Sequence, residues 1–268
     1  MSSTVGKSQR SRALYGLLGT IRLWVATAIG YLIWVTLADW RGRAGDPACD
    51  LEFDRQWGVD TCGTVGPGKA EVVGSNWVYG AEYQGSNATA LEEVLRELTI
   101  PYGQFTFVDF GSGKGRVILV ASRFPFRRII GVDYSEQLND IARHNLSRFP
   151  KAETRCKEID VVCADAARFP IPEGPLVIFL FNPFRRPVMR DVVKHVVTSF
   201  QQDPRRIIVL YSNAVCADVW RNASILEEIP SSRKWIAIYD TQALSLNAQT
   251  REGAMRNTSP PKLDRFFT

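Results

Sequence analysis

Histidine is scarce in this chain and cysteine follows no pattern: 268 residues hold 2 histidines and 5 cysteines. Cys49, Cys62, Cys156, Cys163 and Cys216 form no C-x-x-C pair and leave one thiol over, so no disulfide framework is implied. His144 and His195 stand at no metal-ligand spacing, so a zinc or iron site has no ligand set and no metal is expected. No nucleophile elbow with a Ser-His-Asp order occurs, which removes serine-hydrolase chemistry. Basic runs interleaved with aromatics are missing outside the termini. Arg185-Arg186 and Arg205-Arg206 are short pairs that read as solvated faces, and a net charge of +5 is no readout of nucleic acid. No internal repeat is present. The length suffices for one core of about 150 to 200 residues with extensions.

What is there is glycine in a telling place. Phe105 to Phe110 reads as a short apolar strand and Val117 to Phe124 as the start of a helix, with Gly111, Gly113 and Gly115 between them. Glycine suits such a turn because the backbone must bend sharply and let a ligand approach the main chain. A dinucleotide loop would need G-x-G-x-x-G, with the third glycine packing helix on strand. Arg116 occupies that position, and Asp109 stands two residues before the first glycine.

Three more strand ends carry polar groups. Arg128 to Asp133 is apolar until its terminal carboxylate, about twenty residues beyond the glycine loop, where an acid can hold both ribose hydroxyls. Asp133 and Ser135 also precede a helical pattern, Leu138, Ile141, Ala142 and Asn145, so helix capping is the other reading of Asp133. Ile159 to Ala166 reads as a third strand ending near Asp165, and Pro175 to Phe181 as a central one running into Asn182-Pro183-Phe184. Ligands of open parallel sheets bind at these carboxyl ends.

The order Asp109-x-Gly111-x-Gly113-x-Gly115 resembles motif I of the class I S-adenosylmethionine-dependent methyltransferases, over roughly Tyr79 to Asp240. That resemblance implies an α/β fold, a Rossmann-like seven-stranded sheet with helices on both faces, and S-adenosyl-L-methionine as cofactor. It implies cofactor contacts from Asp109, Gly111, Ser112, Gly113, Gly115, Asp133, Tyr134, Asp165 (on the adenine amino group), Ala166 and Asn182. Upstream, Asn76-Trp77-Val78-Tyr79-Gly80-Ala81-Glu82-Tyr83, one helix from Ala88 to Leu98, then motif I, is similar to the non-SET lysine methyltransferases of the disruptor-of-telomeric-silencing family. It is also similar to the small membrane-anchored lysine methyltransferases of the ATP-synthase c subunit. The histone enzymes place the acid directly after Tyr-Gly, whereas Ala81 intervenes here, and they have a second asparagine where this chain has Pro183. Asn182-Pro183-Phe184 also resembles the Asn/Asp-Pro-Pro-aromatic loop of amide and nucleobase amino-methyltransferases, short of one proline.

From these resemblances Asn182, Pro183, Phe184 and Tyr79 are the expected catalytic residues. The Asn182 amide carbonyl would hold an amine by its protons, with the Phe184 ring alongside, and Glu82 would take the cofactor ammonium. Tyr79, Glu82 and Tyr83 would close over the methionine end, or else serve as packing and solvated residues. The expected activity is methyl transfer to an amine, protein lysine first. A small-molecule or nucleobase N-methyltransferase, a non-catalytic cofactor-binding module and a dehydrogenase remain open.

At the amino terminus, Leu23 to Ala38 is uncharged over 16 residues, about 24 Å of helix against a hydrocarbon core of about 30 Å. Ala13 to Ile21 extends it across Arg22, which can snorkel, and Trp24, Tyr31, Trp34 and Trp40 supply interfacial aromatics. Residues 1–40 are therefore expected as a membrane-associated helix, 41–75 as a linker or lid, 76–246 as the methyltransferase domain and 247–268 as a flexible tail. Flanking charge weakly favours a cytoplasmic amino terminus. A cytoplasmic cofactor argues for the catalytic domain on that side, with the helix inverted or lying in the interface. The acceptor, a protein or small molecule, has no sequence signature.

Overall fold

The computed structural model describes residues 51–63, 76–81 and 83–242. Its strands are β1 Thr106–Phe110, β2 Arg128–Asp133, β3 Ile159–Cys163, β4 Leu176–Phe181, β5 Ile207–Ser212, β6 Glu227–Ile229 and β7 Ile236–Asp240. Its helices are α1 Leu51–Trp57, α2 Ala88–Glu97, α3 Arg116–Ser122, α4 Glu136–Arg148, α5 Arg186–Gln202 and α6 Ala217–Arg221. The strands make a 7-stranded sheet in the order β3-β2-β1-β4-β5-β7-β6. β1 to β5 pair in parallel, and β7 runs antiparallel to both β5 and β6. Strand order reverses between β1 and β4, so the crevice for a ligand opens at their carboxyl ends.

β4 is wholly apolar and β1 wholly buried, both faces being covered. Val108, Phe110, Ile178 and Leu180 pack with Val188, Val192 and Val196 of α5 and Trp220 of α6. Phe107, Ile129 and Phe179 pack on the other face with Leu91 and Leu95 of α2 and Ile118 and Leu119 of α3. Local chemistry fixes the helix starts: the Asn87 side chain accepts from Ala90 N, and Ser135 accepts from Leu138 N. α5 begins with Pro187 in its first turn, where the missing N–H costs nothing.

Three expectations change. β3 ends at Cys163, which leaves Asp165 and Ala166 in a turn closed by Arg168 N on Asp165 O. Ser224 to Ile229 is expected from its residue pattern as a strand, but β6 starts at Glu227, since Leu226 N donates to Ala223 O in a turn. Of the segment 41–75 expected as a linker or lid, residues 51–63 pack on the fold, α1 burying Phe53 in the same core face as α2 and α3. Residues 1–40, 41–50, 64–75, Glu82 and 247–268 lie outside the described residues. Among the described residues no helix is long and apolar enough to cross a membrane.

Candidate active site

The glycine turn follows β1 directly. Gly111, Gly113 and Gly115 have φ of +81°, +51° and +86°, a region closed to most side chains. Gly111 N and Ser112 N donate to Val132 O at 2.8 and 3.2 Å, and Gly113 N donates to Asp133 Oδ2 at 2.9 Å. Two of the glycines also make room for other loops. A Cβ on Gly111 would lie 2.3 Å from Pro183 Cβ, and one on Gly113 would lie 2.2 Å from the Tyr83 ring. Gly115 differs. It caps α3, and its Cβ would lie 3.0 Å from Ala142 Cβ, so a glycine here lets α3 pack closely on α4.

The Asn182 loop is zipped to the segment around Tyr79. Gly80 and Phe184 form an antiparallel bridge, Ala81 N donates to Pro183 O at 2.9 Å, and Arg185 N donates to Tyr79 O at 2.8 Å. Tyr134 adds a third wall, with its hydroxyl 2.7 Å from where a Gly80 Cβ would stand. Asn182 sits at φ 42°, a left-handed conformation that asparagine tolerates better than most residues. Tyr79 is 37% exposed at the rim. Phe184 departs from expectation: only 7% exposed, it belongs to the core beside Val188 and Met189. The bridge to Gly80 turns its ring away from an acceptor.

Three carboxylates line the strand ends. Asp109 is buried, its Oδ2 meets no donor, and burial followed by the charge of Asp133 pushes its pKa well above the usual carboxylate range. Burial also raises Asp133, against the opposing pull of backbone N–H groups: Oδ1 accepts from Ser135 N and Oδ2 from Gly113 N, both at 2.9 Å. Asp133 thus stitches β2 to the glycine turn and caps the approach to α4, with the Tyr134 N–H also bonding its carboxylate. Asp165 accepts from Asn76 Nδ2 at 2.8 Å and Ala167 N at 3.0 Å, next to the half-buried Ala166. Tyr134 has its pKa raised by burial and then by Asp133.

Sequence reasoning missed the strap beneath the turn. Arg116 is 2% exposed and donates from Nε to Thr61 Oγ1 at 2.7 Å and from Nη1 to Ser86 O at 3.0 Å. Its Nη2 lies 3.7 Å from Asp54 Oδ1, and its guanidinium lies over the Phe53 ring. Lys114 Nζ donates to Asp60 Oδ1 and Cys62 O at 2.8 and 2.7 Å. Asp54 in turn accepts from Thr61 N and Cys62 N, both at 2.8 Å. Tyr83 closes the circle by donating to Thr61 O at 2.7 Å. Sequence alone offers one half of the signal, an arginine where a packing glycine belongs; its half-buried partner Asp54 carries none.

These residues fit a sulfonium amino-acid nucleoside. Among the described residues, Asp109 Oδ2, Ser112 Oγ, Ser86 Oγ and Asn139 Oδ1 are buried polar atoms without partners, and of these Asp109 and Ser112 belong to the glycine turn, where a ligand's polar groups can satisfy them. An open groove of about 630 Å³ lies elsewhere, between Ala214 and Ala217 and the β6–β7 hairpin, and includes none of the glycine-turn residues.

Residues 107–202 match a family described as a methyltransferase domain. No curated protein matches the chain. Among solved structures, ribosomal protein L11 methylase from Lactobacillus delbrueckii subsp. bulgaricus is 14% identical, with 58% of this chain and 79% of that one covered and a TM-score of 0.41. A glycopeptide N-methyltransferase complexed with S-adenosyl-L-methionine is 12% identical, over 59% and 87%, with a TM-score of 0.43. A SAM dependent methyltransferase from Aquifex aeolicus is 14% identical, over 56% and 87%, also at 0.43.

Proposed function

We propose that this chain, whose residues 107–202 match a methyltransferase-domain family, is a class I S-adenosylmethionine-dependent methyltransferase that methylates an amine nitrogen, protein lysine first. The observation that carries the reading is the seating of the Asn182 loop on the glycine turn, Pro183 against Gly111. A polar side chain in a left-handed conformation is thereby held beside the cofactor cradle, and such backbone strain persists only where its surroundings fix it.

When bound, the cofactor supplies a sulfonium methyl; in-line attack forms the new N–C bond and leaves the electron pair of the broken S–C bond on sulfur. The chain's own part is orientation and exclusion of water. Pro183 O accepts from Ala81 N–H, which holds the loop and leaves the Asn182 side chain as the group proposed to grip the amine. Its side-chain carbonyl accepts an amine proton and aims the lone pair; the amine arrives neutral, its extra proton given to water. Tyr79, 37% exposed, would flank the acceptor's alkyl stem. The burial of Phe184 disfavours a flat nucleobase, because no ring from this loop is exposed to stack on it.

Residues 1–40 are proposed as a membrane-associated helix on the strength of the uncharged run Leu23 to Ala38. The catalytic domain would face the cytoplasm, where its cofactor is. Proteolysis of sealed vesicles bearing the full chain tests this, and an external catalytic domain would count against it.

The activity test is incubation with methyl-labelled S-adenosylmethionine and fractionated lysate, using wild type and Asn182→Ala. Label is expected in protein as methyl-lysine, with turnover abolished and S-adenosylhomocysteine binding kept in the variant. Label confined to protein-free fractions, or a fully active variant, would overturn the reading.

A further inference from the structure

Asn182 has one side-chain partner from a neighbouring strand, and it is buried. Tyr211, on β5 beside β4, is fully buried and donates from its hydroxyl to Asn182 Oδ1 at 3.4 Å. The same hydroxyl accepts from Cys216 N at 3.2 Å. A tyrosine hydroxyl owns a single proton, and the Cys216 N–H, which can only donate, leaves that proton free to be directed elsewhere. Its other polar neighbour is the Cys216 thiol, a weak acceptor whose own pKa is raised by burial, so it stays S–H. The amide oxygen is the stronger acceptor. Burial also pushes the Tyr211 pKa upward, so the group remains a donor at neutral pH.

We infer that Tyr211 is a positioning residue for methyl transfer: its hydroxyl fixes the Asn182 amide with Oδ1 held in place and one oxygen lone pair left for the acceptor amine. This rests on the reading of Asn182 given above. The bond is long as it stands, and hydrogen bonds in catalytic loops commonly tighten when substrate arrives. Without it, the amide can rotate by half a turn and present its NH2 group, which offers protons and no lone pair to an amine. The chain needs no base from Tyr211 and no proton moves through it.

The test pairs Tyr211→Phe with Tyr239→Phe. Tyr239 is also buried on the sheet and donates to Ala217 O, so its variant loses a buried hydroxyl without touching Asn182. Tyr211→Phe is expected to lower kcat about tenfold, the effect of one misplaced hydrogen bond, with KM for S-adenosylmethionine and S-adenosylhomocysteine binding unchanged. Tyr239→Phe is expected to lower Tm with kcat within about twofold, since it breaks no contact of the reacting loop.

Wild-type kcat in Tyr211→Phe, alongside an inactive Asn182→Ala, overturns the inference and spares the acceptor site. A fully active Asn182→Ala overturns both. If Tyr211→Phe does not fold, wild-type NMR decides: a nuclear Overhauser contact between the Tyr211 ring and the Asn182 side chain is expected, and its absence overturns the inference.

Discussion

Gly111 and Pro183 touch so closely that the glycine has no room for a side chain: a Cβ there would lie 2.3 Å from the proline Cβ. The contact joins the ends of β1 and β4, the strands between which the sheet reverses its order. It makes the cofactor turn and the Asn182 loop parts of one surface. Pro183 is fixed from the other side by Ala81 N, so displacement at Gly111 travels to the Tyr79 segment as well.

Gly111→Ala should therefore damage binding and turnover together. A φ of +81° costs a non-glycine residue about 1–2 kcal/mol, and the new methyl must also push Pro183 away. Expected outcomes are weaker S-adenosylhomocysteine binding by calorimetry, a lower Tm and a lower kcat. A variant that loses only turnover would mean that the turn tolerates the methyl and the loop alone moves.

The sheet was legible because its strands are short apolar runs with polar stops. Arg128 to Asp133 was read to the residue, and the strand ends bearing Asp133 and Asn182 follow from that pattern. Fine boundaries failed where a turn borrowed the backbone, as at Leu226, because a bond to Ala223 O has no signature in composition. The Asn182 loop could be named from its resemblance, but not the direction of Phe184, which depends on a bridge to Gly80 some hundred residues away in sequence. The strap stayed hidden for the same reason. Asp54 and Arg116 are ordinary charged residues until the fold buries them together.

Arg116 is the part of that strap whose loss should cost most. A guanidinium this buried satisfies Thr61, Ser86 and Asp54 at once, and removing one partner of a buried pair costs about 3–5 kcal/mol. Arg116→Met should lower stability on that scale in urea unfolding. Asp54→Asn should cost less, since Thr61 N and Cys62 N can still bond to its amide oxygen. The double variant should fall short of the sum, because both singles break one network. Strict additivity would show that the two residues act independently.

Tyr83 should separate packing from hydrogen bonding at the cofactor turn. Its ring covers Gly113 while its hydroxyl holds Thr61 O. Tyr83→Phe keeps the ring and should cost about 1 kcal/mol of stability, a typical net hydrogen bond, with cofactor affinity near wild type. Tyr83→Ala uncovers Gly113 and should weaken S-adenosylhomocysteine binding severalfold in titration calorimetry. Equal affinities in the two variants would remove the ring from the site.

Asp109 gives the pH dependence its sign. Burial, and then the negative charge on Asp133, raise its pKa in the folded protein above the unfolded value. For an acid shifted upward, the neutral form is favoured by folding, so the stabilisation is full below the unfolded pKa and is lost as pH rises through the folded one. Asp109→Asn removes that dependence. The ligand-free variant should then be more stable than wild type at neutral pH, by about 2–5 °C in Tm if the gain is near 1 kcal/mol, and the difference should shrink as pH falls toward 4. Its affinity for S-adenosylmethionine should drop over the same range, because the unpartnered Oδ2 is the oxygen that a ligand donor would meet. Gain of stability with loss of binding is the pattern of a residue kept for function at the expense of the fold. A variant less stable than wild type at neutral pH, or one that binds the cofactor normally, would show that Asp109 is held by contacts of the fold alone.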